Sequence, residues 1–343
     1  MYFFCLLFIS LCTLIFSKEY QQRWWFCLSI TMMLILIAAL RHDNIGIDTI
    51  TYKYIFQSIQ NNTYAIETRL EEGYLYINEW VGKFGDYRLF WFVVASISML
   101  PVCFVIKEYS AYCGYSLLLF FASVGFHTME LAAMRQALAF GFIVLAFHFL
   151  MRRNLLFYLL MVFLAFTMHR SSVIFLPCYW LYSLRLNKKV LIAWGILLAL
   201  CFVYGYTIFL RINALWSIDY TLTEVEAGGE RFFMVNLLFV IIGLANYKKF
   251  NDIPQIRVPL LIYSISVLLW PMLNSNPALF RLQYYFDFFY VLFLPNLICV
   301  LSKNWRLKYG LIAASLFVAL YIILVLRNVP AYSPYYFYWE ELV

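Results

Sequence analysis

Charge is scarce in this chain of 343 residues: only 13% of its side chains are Asp, Glu, Lys or Arg, against 65% hydrophobic ones. With a mean hydropathy of +0.80, it has too little polar surface for a soluble globule of its size, which implies an integral membrane protein. Alternation of apolar and polar residues is also missing, and that excludes the strands of a membrane barrel. The runs are apolar all round and nearly as long as the roughly 20 residues a spanning helix needs. The eight cysteines, among them Cys5, Cys12, Cys27, Cys103 and Cys201, show no CxxC or Cys/His ligand spacing and read as small buried hydrophobes. A basic leader and a small-residue cleavage site are absent from the first run, so it is read as a retained span rather than a signal peptide.

What is present predicts an all-α polytopic bundle of about twelve spans. The apolar runs cover 1–17, 24–40, 88–106, 112–127, 132–150, 155–168, 171–184, 190–210, 232–245, 258–273, 282–301 and 309–326. Their connections, sorted alternately, separate by charge. The set after runs 1, 3, 5, 7, 9 and 11 holds Lys18, Arg23, Lys107, Arg152, Arg153, Arg185, Lys188, Lys189, Lys248, Lys249, Arg257, Lys303, Arg306 and Lys308, with Glu19, Glu108 and Asp252 as its only acids. The positive-inside rule makes that set cytoplasmic and puts both termini outside. This excess accounts for the net charge of +7; no nucleic-acid motif or basic helix accompanies it, so no nucleic-acid partner is expected.

The opposite set carries nearly all the acids, with His42, His127 and His169, and its bases are mostly arginine. A guanidinium grips phosphate or carboxylate oxygens in pairs, as lysine cannot. Toward the bilayer centre an arginine costs roughly 2.5 to 3.5 kcal/mol, so a group of them at helix ends points to an anion site. In the outer loop 41–87, Gly46 breaks the exit from the membrane, and Asp48 starts a helix either as its cap or as a site residue. Tyr52, Ile55, Phe56 and Ile59 share one face of it, and Tyr74, Ile77, Val81 and Phe84 one face of a second helix. Both are expected to lie on the membrane. Glu71 and Glu72 fall in the second helix's first turn, where acids complement the helix dipole.

Arg135 opens run 5 with no neutralising residue at helical spacing, so its partner is expected on another element or, preferably, on a ligand. His169 and Arg170 sit together in the turn Met168–Ser172. Arg281 opens run 11, with Tyr284, Tyr285 and Phe288 on its side as an aromatic wall for sugar rings. Asp287 lies about 9 Å deeper, where an ion pair with an arginine of a neighbouring helix competes with a catalytic role. Loop 211–231, with Glu224, Glu226, Gly228 and Gly229, reads as a lid or a solvated surface.

Arg41, Gly46, Asp48 and Tyr52 form an R-x-x-x-G-x-D-x-x-x-Y pattern. Glu72-Gly73-Tyr74, Arg135-Gln136 with Ala139, the Arg152-Arg153-Asn154 turn, His169-x-Ser171, and Arg281-Leu282 with Tyr285 and Pro295 follow in order. This ordered set, over about 41 to 300, resembles the EpsG branch of the Wzy-type polysaccharide polymerases. The resemblance implies a GT-C-like glycosyltransferase on the outer face of the bacterial cytoplasmic membrane. It would move a growing glycan from undecaprenyl diphosphate onto a second lipid-linked repeat unit. Donor, acceptor and membrane lipid are then its partners, with a chain-length regulator and a flippase nearby. Arg41, Tyr52, Arg135, Gln136, Arg170 and Arg281, with Tyr284 and Tyr285, are the implied substrate contacts, and His169, Asp48 and Glu72 the candidates for the base. No DxD or HxH pair occurs in the outer segments, so neither a metal nor another cofactor is expected. A lipid-linked oligosaccharide flippase, an O-antigen ligase and a membrane acyltransferase are the rival readings.

Overall fold

A computed structural model describes residues 1–61, 63, 70–216, 230–273, 277–301 and 305–340. It is helical throughout, without a strand among the described residues; an isolated bridge joins Arg41 to Phe337. In chain order the α-helices are α1 (Tyr2–Ile15), α2 (Lys18–Gln21), α3 (Trp24–Ala39), α4 (Thr49–Gln60), α5 (Glu72–Gly82), α6 (Tyr87–Tyr109), α7 (Cys113–Phe121), α8 (Met134–Met151), α9 (Leu155–Met168), α10 (Lys188–Trp216), α11 (Glu230–Ala245), α12 (Pro254–Leu273), α13 (Pro277–Asp287), α14 (Tyr290–Val300) and α15 (Trp305–Arg327). Six described segments are long and apolar enough to cross a membrane: Tyr87–Tyr109, Met134–Met151, Lys188–Ile208, Pro254–Leu273, Arg281–Val300 and Trp305–Arg327. Helices α1, α3 and α9 are apolar but shorter.

Two expected spans take other forms. Run 112–127 divides into the short α7 and a π-helical turn, Phe126–Glu130. Run 171–184 is a 3₁₀ helix, Arg170–Ser183; its steeper rise carries those residues about 28 Å, further than an α-helix of that length would reach. The lid expected at 211–231 lies, from 217 to 229, outside the described residues, as do residues 62 and 64–69 of the outer loop.

The chain forms two compact units, Met1–Tyr179 with Arg306–Val343, and Trp180–Trp305. In the first, α8 is the buried axis, packed on α6 and α9, with α3 on the far side of α6. Connections 18–23 and 107–114 meet at one end of α6. Gln22 donates to the Ser110 carbonyl, Gln21 accepts from the Gly114 amide, and Lys107 covers the Trp24 ring. At the other end of α6, about 34 Å away, Asp86 caps the helix and Arg88 donates to the Arg41 carbonyl and to Asp43. In the second unit, Arg185 and the buried Arg257 close residues 182–186 onto Asn251 and Asp252.

Helices α4 and α5 do not turn their apolar faces to a membrane. Tyr52, Phe56, Ile59, Tyr74 and Val81 are buried, and Phe56 and Tyr74 close on Phe90 of α6 at centroid distances of 5.2 and 6.0 Å. The two rings, one from each helix, meet a third ring on the bundle, and that contact takes the place of lipid. Phe84 alone of the expected faces is exposed.

Candidate functional site

Four segments distant in sequence meet in the first unit because of two glycines. Gly46 has φ +94°, and a β-carbon there would lie 1.8 Å from the Leu131 carbonyl oxygen. Only glycine lets the loop press onto the segment that leads into α8. Gly73 plays the same part for α5: its β-carbon would meet the Thr167 side chain at 2.6 Å and the Thr167 carbonyl oxygen at 2.8 Å. The first turn of α5 therefore rests on the end of α9. His169 ends α9 in an extended conformation, φ −157° and ψ 114°.

That approach turns Glu71, the residue before α5, into the centre of the site. It does not cap its own helix. Its carboxylate, 7% exposed, accepts from Arg135 at 2.9 Å, from His169 Nδ1 at 3.1 Å and from the Arg170 backbone N–H at 3.2 Å. Tyr52 also hydrogen-bonds to Arg135, and its ring lies 6.0 Å from that of Tyr74. Burial pushes the Glu71 carboxyl up, but the His169 hydrogen bond, the Arg135 charge, the His169 charge once that ring is protonated, and the Arg170 N–H together outweigh it and hold the group at about 2. Glu71 is thus an anion at neutral pH and can only accept hydrogen bonds. In the neutral ring the proton between the two residues therefore sits on Nδ1, which leaves the lone pair on Nε2. About a quarter of the side-chain surface of His169 and of Arg135, 27% in each case, remains open.

The structure brings together His169, Arg135, Tyr52 and Arg170 of the residues expected from sequence. Arg135 finds its partner on another element, Glu71, and not on a ligand alone. Glu72, the expected acid, opens α5 and is exposed, whereas Glu71 precedes the helix in an extended conformation that turns it inward. The Arg170 side chain is exposed while its N–H serves Glu71. Asp48 is half-buried at the start of α4, and its side chain does not cap that helix. Gln136 is buried at the start of α8.

Arg41 is displaced from the expected role most. Only 1% exposed, its guanidinium lies 3.1 Å above the centroid of the Trp91 ring and donates to the Ile45 and Ala38 carbonyls. Burial lowers its pKa to about 9. It holds the loop from inside instead of presenting a fork outward. Over that loop lies the tail: His42 N–H donates to the Tyr336 carbonyl at 2.8 Å, Gly46 N–H to Ala331 at 2.7 Å and Tyr338 N–H to Leu40 at 3.0 Å.

Arg281 is half-buried in the second unit, where Tyr284, Tyr285 and Phe288 are buried core residues and not an open wall. Among the described residues no arginine forms an ion pair with Asp287; Asn236 donates to it at 3.2 Å. Among the described residues no three of His, Cys, Asp and Glu gather as a metal-binding group.

Sequence reasoning missed Glu71 and the tail. Glu71 was visible only as one of two adjacent acids, and the inward one follows from Gly73, whose loss of a side chain fixes how α5 docks. The tail's signal was its density of aromatic residues around Pro330 and Pro334.

The EpsG family matches residues 24–338. The chain belongs to the EpsG family. EpsG is a Wzy-like polymerase family, and this member keeps its Glu71, Arg135 and His169 together at one end of the first unit. No curated protein and no solved structure matches the chain.

Proposed function

We propose that this EpsG protein is a metal-independent polysaccharide polymerase, with its active site on the outer face of the bacterial cytoplasmic membrane. It transfers a growing glycan from undecaprenyl diphosphate to the sugar of another lipid-linked repeat unit. The observation that carries this reading is the Glu71–His169 pair in a chain of this family. Glu71 orients His169 and fixes its tautomer. Nε2 takes the proton of the acceptor hydroxyl as that oxygen bonds to the anomeric carbon of the donor. The bond from that carbon to the diphosphate oxygen breaks, and the electron pair leaves with the lipid diphosphate. The exposed Arg170 and the open edge of Arg135 meet the developing charge, each fixed donor contributing roughly 3 to 4 kcal/mol by analogy with other anion holes.

In this reading the shorter apolar helices and the 3₁₀ segment also cross the bilayer, giving about twelve spans in a GT-C-like arrangement with both termini outside. Support comes from the separate meeting of the two sets of connections and from the lysine-rich composition of one of them. A chain-length regulator and a flippase would work beside it. Deletion of the gene tests the reading against its rivals. A polymerase deletion accumulates single lipid-linked repeat units outside the membrane, a flippase deletion traps them inside, and a ligase deletion leaves finished polymer on its lipid.

A further inference from the structure

The second unit contains a polar cluster that the proposed reaction does not use. Helices α13 and α14 belong to one apolar segment, Arg281–Val300, but the helix is interrupted at Phe288 and Phe289, directly after Asp287. Asn236 of α11 donates to the Asp287 carboxylate at 3.2 Å and is itself oriented by the Tyr263 hydroxyl of α12, which donates to its oxygen at 2.8 Å. Gln283, one turn before Asp287, and Ser266 of α12 also hydrogen-bond to the carboxylate. Ser266 has a single proton and donates it to the Tyr263 carbonyl at 2.8 Å, so its bond to Asp287 competes with that one. Every partner is neutral. Gln283 is 2% exposed, yet its side-chain oxygen has no hydrogen-bond partner among the described residues.

A lone carboxylate among neutral groups in an apolar bundle needs one positive charge. The turn after Asp287 keeps backbone bonds, Phe288 N–H to Tyr284 at 3.4 Å and Val291 N–H to Phe288 at 2.9 Å, so the oxygens available to such a charge come from side chains, and the negative C-terminal dipole of α13 adds to them. We propose that this break is a binding site for one alkali cation, sodium or potassium, held by the Asp287 carboxylate, the Gln283 side-chain oxygen and the Ser266 hydroxyl. Rotation of the Gln283 amide by half a turn exchanges its nitrogen for its oxygen at little steric cost and aims that oxygen at the ion. A single carboxylate balances a monovalent ion and falls short of what a divalent one requires. A proton would satisfy one acceptor, whereas a metal ion gathers several, and the unpartnered Gln283 oxygen favours the metal ion.

The test is binding of radioactive sodium to the full-length protein in nanodiscs of zwitterionic lipid, at mildly alkaline pH with choline as the inert salt. Wild-type protein should bind sodium saturably, displaced by potassium but not by choline, and its melting temperature should rise with either ion. Asp287→Asn and Gln283→Leu should each weaken binding on the order of tenfold or more, and the melting temperature of Asp287→Asn should ignore sodium. Sodium retention by the wild type no greater than by Asp287→Asn would overturn the proposal. So would a wild-type melting temperature that responds to acid alone, which would make Asp287 a proton site.

Discussion

Glu71 accepts a hydrogen bond from Nδ1 of His169 at 3.1 Å, and that one contact decides which ring nitrogen can act as a base. Replacing the acid by an amide removes the charge and lets the ring adopt the other tautomer. Glu71→Gln should therefore lower polymerisation on the order of 10³-fold or more, by analogy with carboxylates that orient catalytic histidines. His169→Gln should cost about as much, and the double variant little more than either, because the two act as a unit. Glu72→Gln, one residue away on the exposed face, should stay near wild type. Counting glycan ladder lengths in membranes of the four strains checks this.

The two arginines singled out by sequence should separate. Arg41→Ala removes a buried cation stacked on Trp91, a contact of about 2 kcal/mol when desolvated, and leaves the Ile45 carbonyl with the Thr49 hydroxyl as its side-chain donor. A lower melting temperature and less protein in the membrane are expected. Arg135→Ala should abolish activity with protein level nearly unchanged, and Arg135→Lys should rescue poorly, since the ammonium cannot serve Glu71 and a diphosphate as a fork does. Melting curves and immunoblots beside the activity assay distinguish the two outcomes.

Gly73→Ala should act at a distance. The added carbon meets Thr167, so α5 must lift away from α9 and carry Glu71 off His169. Activity should fall at least about tenfold, the effect of losing roughly 1.4 kcal/mol of positioning. Pairing the change with Thr167→Ser or Thr167→Gly should not restore activity fully, because the Thr167 backbone oxygen is also too close.

Glu71 also sets a pH dependence of stability. Its carboxyl is held below its unfolded value, so its contribution is complete above an unfolded value of about 4.5 and is lost as pH falls toward about 2. The difference in melting temperature between wild type and Glu71→Gln should be constant from neutrality to mild acid and shrink only in strong acid. A difference that already closes in mild acid would mean that His169 and Arg135 do not hold the carboxylate as described.

The helical membrane class was legible because composition alone forbids other solutions. His169, Arg135 and Arg170 were legible as residues that are costly at a helix end. What the sequence hides is direction. Glu71 and Glu72 differ only in which way the first turn of α5 faces, and Gly73 determines that through a contact with Thr167, far along the chain. Arg41 has the same local pattern as a phosphate-binding arginine and is buried because Trp91, on another helix, offers its ring. Tyr284 and Tyr285 are both buried, because the packing of the second unit covers this part of α13 on more than one side.

The most direct measurement uses purified protein in nanodiscs, supplied with the strain's own undecaprenyl-diphosphate-linked repeat unit in the presence of EDTA. With His169 as the base of a metal-free reaction, wild-type protein should convert single units into a ladder of longer lipid-linked glycans, and His169→Gln should leave the single units intact. A ladder formed by His169→Gln, or single units left unextended by wild-type protein in EDTA but extended when magnesium is restored, would contradict it.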